Sequence, residues 1–315
     1  MRASCFRVAL LVYEMDAVVF GNVTLDIICK IVDDVPRYES LSFDQVAMMP
    51  GGCGSNVAVG LAALGVRTAL VARTGSDDAA GLLHKFWERF DLDLRYVSEI
   101  DRCPTGTSIG LVDHEAQPRF IHTPGANAYL TVDALDLESL FEAGSRSLHI
   151  AGFFVLPGVL DGRLPDVLSK ARDYGMMTSL DVVRSKRMED PQALWPCLPY
   201  LDYFLCNAHE AWRLTGIENP AEAGLDFRRR GARNAIVKLG REGCWLVGEN
   251  FNSEIDAPRV EAIDTTGAGD AFAAGMIQAL LGGATPREAC RMGNAAGAKM
   301  VGAMGAVGGW LTDEQ

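Results

Sequence analysis

The chain has 315 residues, of which 49% are apolar and 22% charged, the make-up of an ordinary globular protein able to bury one large core or two smaller ones. Its 29 Lys and Arg against 41 Asp and Glu leave a net charge of −12. That balance argues against nucleic acid as a partner, since no basic surplus exists to release counterions, but a local cradle of backbone amides can still take a nucleotide. Eight cysteines, at 5, 29, 53, 103, 197, 206, 244 and 290, form no Cys-x-x-Cys pattern and read as reduced, mostly buried thiols of a cytoplasmic protein. No apolar run is long enough to span a bilayer, which argues against a membrane partner. Residues 6–13 are apolar but short, run into Glu14 and Asp16, and lack a small-residue cleavage site, so residues 1–15 read as an N-terminal extension.

Residues 16–28 (DAVVFGNVTLDII) predict a first buried strand ending in a turn that presents Asp26. From 29 to 49 apolar and polar residues alternate around Pro36, which predicts one or two half-exposed antiparallel strands. Residues 50–65 place glycines before a run of small apolar residues closed by Gly65, a loop feeding a helix with a C-cap glycine. The pair Gly52-x-Gly54 lacks a third glycine and does not follow a first strand, so it makes a poor dinucleotide fingerprint. A strand and turn at 67–78 precede a helix at 79–90, with Asp77 and Asp78 as helix-start acids of no catalytic role. Alternation returns at 105–123 with a turn near His114-Glu115-Ala116. Two distant segments of the same character predict a small sheet inserted at about 29–49 and 103–124 into a domain spanning 16–315.

Beyond residue 148 the rhythm is regular. Strands are predicted at 148–154, 177–183, 201–206, 235–239 and 245–247, with helices at 164–174 and 210–215. This is an α/β pattern with a mostly parallel sheet and helices on both faces, whose ligands sit beyond the carboxyl ends of the strands. Asp26, Asp181, Asn207 and Gly240 all fall at such ends. Taken alone, Asn207 reads as a helix cap, residues 237–243 as a surface hairpin turn, and His149 as a core residue.

One stretch organises the rest: residues 264–277, DTTGAGDAFAAGMI. Two threonines and a Gly-Ala-Gly hinge lead without a breaker into an apolar helix whose first turn carries Asp270. Free amides and the positive dipole end of that helix favour an anion, and the glycines let it approach the backbone. A carboxylate there would repel phosphate as a plain ligand. It suits a base that takes a proton from an alcohol while the backbone holds the phosphoryl group under attack.

These segments resemble the ribokinase-like (PfkB-type) carbohydrate kinases from about residue 16 onward. Residues 264–277 match the family's second signature without a gap, and residues 50–65 fit its first. The resemblance implies a ribokinase-like fold with a β lid over the sugar, Asp270 as catalytic base and the backbone of Gly267, Ala268 and Gly269 as anion hole. It implies substrate contacts from Asp26, Thr24, Gly51, Gly52 and Asn56, with Cys53 standing where some relatives carry Lys. Asn207, Lys238, Gly240, Gly243 and Asn294 should line ATP, and Glu210 should organise Mg²⁺ through water. Backbone oxygens of Asp264 and Thr266 stand where many relatives bind a monovalent cation, usually K⁺. A nucleoside kinase of the same family and a catalytically silent sugar or nucleotide sensor stay open as alternatives, as does a homodimer paired through the lid.

Overall fold

The computed structural model describes residues 15–115 and 118–311, so the N-terminal extension lies outside them save for Met15, as does Ala116 of the expected turn. Among the described residues two sheets form. The larger has nine strands in the order β13 (Asn252–Ile255), β12 (Cys244–Val247), β11 (Ala235–Lys238), β10 (Tyr203–Asn207), β9 (Met177–Asp181), β8 (Ser147–Ala151), β1 (Ala17–Gly21), β4 (Thr68–Gly75) and β5 (Val97–Ile100). Strands β11 to β5 run parallel, and β12 and β13 close one edge antiparallel.

Side chains alternate across this sheet, as strand geometry requires. Val18 and Phe20 enter one apolar layer, Ala17 and Val19 the other. The first layer packs on α3 (Leu137–Glu142), α4 (Leu164–Asp173), α5 (Ala208–Thr215) and α6 (Pro220–Arg229). The second packs on α1 (Cys53–Ala63), α2 (Asp78–Glu88), α7 (Ala268–Leu281) and α8 (Pro286–Val301). Phe20, Trp87, Phe153 and Phe204 are fully buried. Each such side chain contributes about 1.5–3 kcal/mol, and the near-continuous apolar strands follow from burial on both faces.

The smaller sheet has the order β3 (Gln45–Gly51), β2 (Thr24–Lys30), β6 (Thr107–Val112), β7 (Pro118–Thr123). It gathers the two alternating segments, with β2 and β6 parallel and the outer pairs antiparallel. Residues 16–28 are therefore not one strand. The chain leaves the large sheet after Gly21 and enters the small one at Thr24. Asn127 makes the break possible: its Oδ1 accepts from Val23 N–H at 2.8 Å and its Nδ2 donates to Val23 C=O at 2.7 Å. Asp26 thus stands inside β2 rather than in a turn. Both halves are apolar, so periodicity alone conceals the switch. The strand expected at 148–154 likewise stops at Ala151, where Gly152 turns left-handed. No helix among the described residues is long and apolar enough to cross a membrane.

Candidate active site

Two glycine-led helices converge beyond the carboxyl ends of the large sheet. α7 starts after Gly267, whose φ of 75° is open to glycine and strained for other residues. A Cβ there would also fall 2.3 Å from the Ala306 carbonyl oxygen. The chain can therefore turn into α7 only if this position stays bare. Asp270, in the first turn, accepts a hydrogen bond from Asn56 Nδ2 of α1 at 2.7 Å. Cys53, the first residue of α1, lies against the same carboxylate, and burial together with Asp270 and Asp181 holds its thiol protonated.

A cluster of charge meets here. Burial, then the negative Asp181, raise the Asp270 carboxyl to about 6 against the pull of Asn56 and Lys238. Lys238, at the end of β11, stays a cation despite burial because Asp181, Glu210 and Asp270 face it. A Cβ on Gly269 would stand 3.0 Å from Lys238 Nζ, so the ammonium lies directly beside the helix start. Burial raises Asp181 too, but His149, Lys238 and the Gly152 N–H outweigh it and keep the group ionised. Glu210 is pushed up by burial, opposed by Lys238 and by the amides of Asn207 and Arg184.

Residues 262–269 separate two cavities. A cleft of about 1110 Å³ on one side is lined by Asn207, Lys238, Gly240, Gly243, Gly269 and Asn294 among others. A pocket of about 220 Å³ on the other lies under the small sheet, between Asp26, Met49 and Phe120 and the loop residues Asp264, Thr266 and Gly305. Ala262 and Thr265 line both.

Of the residues singled out in the sequence, Asp26, Asp264 and Thr266 line the small pocket, and Asn207, Lys238, Gly240, Gly243, Ala268, Gly269 and Asn294 the large cleft, whereas Thr24, Gly51, Gly52, Asn56, Glu210, Gly267 and Asp270 line neither. Asp26 is held by Thr24 Oγ1 at 2.7 Å, and burial raises its carboxyl against hydrogen bonds from Thr24 and Ser108. Gly51 backs it closely enough that a Cβ would fall 2.1 Å from Asp26 Oδ2. Gly52 is the N-cap of α1. On the large-cleft side, Asn207 is indeed a cap. Its Oδ1 accepts from Glu210 N–H at 2.8 Å while Glu210 Oε2 accepts from Asn207 N–H at 2.7 Å, a reciprocal capping box. Residues 240–243 form the tight turn between antiparallel β11 and β12, a hairpin that also lines the cleft. Asn294 spends its amide N–H groups on the carbonyls of Ile255 and Asp256 at 2.9 and 3.2 Å. Asp264 ties two loops together, accepting from Thr266 N–H and Oγ1 at 2.9 and 2.7 Å and from Gly305 N–H at 2.9 Å. His149 is a core residue by burial, yet it touches Asp181. The sequence placed Asp181 at a ligand-bearing strand end but gave it no specific role, and its charged neighbours appear only in the fold.

Residues 15–313 match the family described as pfkB family carbohydrate kinase. The chain belongs to that family. Among relatives of this carbohydrate kinase, the 2-dehydro-3-deoxygluconokinase of Bacillus subtilis is 28% identical, covering 84% of each chain. The ribokinase of Haemophilus influenzae is 26% identical over 91% of this chain and 92% of its own. The crystal structure of Thermotoga maritima ribokinase, 29% identical, superposes with a TM-score of 0.76 over 93% of this chain and 94% of that one. Arabidopsis thaliana ribokinase, solved with ribose and ATP, is 25% identical with a TM-score of 0.80 over 93% and 94%.

Proposed function

We propose that this kinase transfers the γ-phosphate of ATP to a hydroxyl of a sugar or sugar-like substrate, with Asp270 as the base. One observation carries the reading. A carboxylate oriented by Asn56 stands in the first turn of a glycine-hinged helix, directly after the loop that divides a nucleotide-sized cleft from a small pocket under a β sheet. A base must be mostly ionised at working pH yet basic enough to take a proton, and a carboxyl raised to about 6 meets both needs.

In this reading Asp26 and Asn56 hold substrate hydroxyls. Asn56 Oδ1 is buried without a partner, an acceptor suited to a hydroxyl donor. The small sheet covers the pocket and excludes water, over the segments 24–51 and 103–124. Amides of Gly267, Ala268 and Gly269 receive the transferred phosphoryl group, and Lys238 beside them offsets its growing negative charge. ATP lies in the larger cleft against Asn207, Gly240, Gly243 and Asn294.

Mg²⁺ would be held mainly by the phosphates and water, with Glu210 beside it. Bound there, the ion would neutralise phosphate charge. The Asp264 and Thr266 loop, pinned to Gly305, is the place for a K⁺ ion on backbone oxygens. ATP as donor and the free cysteines among the described residues support the cytoplasm as the compartment.

A panel of ribose, fructose, 2-keto-3-deoxygluconate, adenosine and cytidine, read by ATP consumption, tests the reading. Turnover with a sugar or sugar acid supports it. Turnover confined to the nucleosides makes the protein a nucleoside kinase, and none with any substrate favours a silent sensor.

A further inference from the structure

Beneath Asp181 runs a buried polar column that phosphoryl transfer, as described above, leaves unused. β8 and β9 pair His149 directly with Ser179, and Asp181 follows two residues on, on the same face of the sheet. His149 is 1% exposed and Asp181 2%. Ser179 Oγ lies 2.8 Å from His149 Nδ1, and Asp181 Oδ1 accepts from Gly152 N–H at 2.6 Å. His149 Nε2 stands 3.5 Å from Asp181 Oδ2, an ion-pair distance, and makes no hydrogen bond. A polar trio inside an apolar layer costs free energy unless its members satisfy one another.

We propose that His149 is a positioning residue for the kinase reaction, directing an Nε2–H at Asp181 and so fixing the charge that stands next to Asp270. A carboxylate only accepts, which places the proton on the ring nitrogen facing it. The Ser179 hydroxyl holds the ring edge-on from the other side. Asp181 is faced by His149 from β8, Lys238 from β11, Cys53 from α1, Asp270 from α7 and Glu210 from α5. Asp270 is faced by Asn56 and Cys53 from α1, by Lys238 and by Asp181. His149 and Lys238 keep Asp181 ionised, and the ionised Asp181 raises Asp270 into the working range of a base.

This rests on Asp270 being the base, and two measurements separate the claims. Protein labelled with ¹⁵N-histidine, the His149 signal assigned by its loss in His149→Gln, should show Nε2 protonated. An Nε2 without a proton overturns the proposal whatever the activity. The second is the pH profile of kcat/KM. His149→Phe removes the donor, so Asp181 keeps its proton to higher pH and stops repelling Asp270. The acid limb then moves down by about half a pH unit or more. His149→Gln, which retains an N–H at a similar reach, should move it back toward wild type. A limb in His149→Phe that coincides with wild type overturns the proposal, because a packing role alone lowers Tm and leaves the limb in place. Near-normal turnover in Asp270→Asn would instead remove the base assignment, a failure the ¹⁵N signal does not share.

Discussion

Asp270 combines two demands that oppose each other at the level of a single residue. Burial and Asp181 disfavour its charge, while Asn56 and Lys238 restore part of it. Proton acceptance needs the ionised form, so kcat/KM should fall as pH drops through about 6 and stay level above it, checked by a pH–rate profile. Lys238→Met removes an attraction that lowers this carboxyl, so the acid limb should move upward from about 6. The same group costs stability. Its folded-state value exceeds the ordinary 3.8, so the native state binds more protons than the unfolded chain between about 4 and 6, and stability falls as pH rises through that window. Asp270→Asn removes the cost and should raise stability at pH 7 by about 1–3 kcal/mol in a denaturant titration, the group being only half-buried.

The helix starts and the loops behind them hold these residues in place. Gly51→Ala would drive a methyl into the Asp26 carboxylate, which a Cβ would approach to 2.1 Å. Its expected signature is a raised KM for the sugar with the KM for ATP unchanged, separable by varying each substrate in turn. The element order was largely legible, because the apolar strands alternate with helical patterns and the glycine hinges mark where α1 and α7 begin. The place of Asp270 in the first turn of α7 was legible for the same local reason: hinge, acid and helix are contiguous. What stayed hidden depends on distant partners. Asn127 splitting residues 16–28 into strands of two sheets, and Asp181 meeting Lys238 and His149, leave no periodic trace in the chain. Asn207 shows the limit from the other side. Its capping box with Glu210 is what local chemistry favours, and the cleft it lines appears only once β10 and β11 are paired.

At the scale of the whole molecule the small sheet has two unlike faces. Asp26, Ile28, Lys30 and Met49 turn toward the pocket. By alternation Met48, Ile27, Ile109 and Ile121 form a cross-strand row on the opposite face, with Met48 51% and Ile121 63% exposed and Val46 beside them at 56%. An apolar row on a sheet already covered on one side fits a second copy of the same sheet. We propose a lid-to-lid homodimer, and Ile121→Glu should convert it to monomer in sedimentation velocity; a wild-type monomer at all concentrations contradicts the pairing. Beyond that pairing stands the claim on which the proposed function depends, that a carboxylate and an anion-binding helix start act on one substrate. Asp270→Asn, studied by calorimetric ATP titration alongside single-turnover kinetics, tests it most directly. The expected result is ATP affinity close to wild type with turnover lower by about 10²–10⁴; turnover near wild type would contradict it.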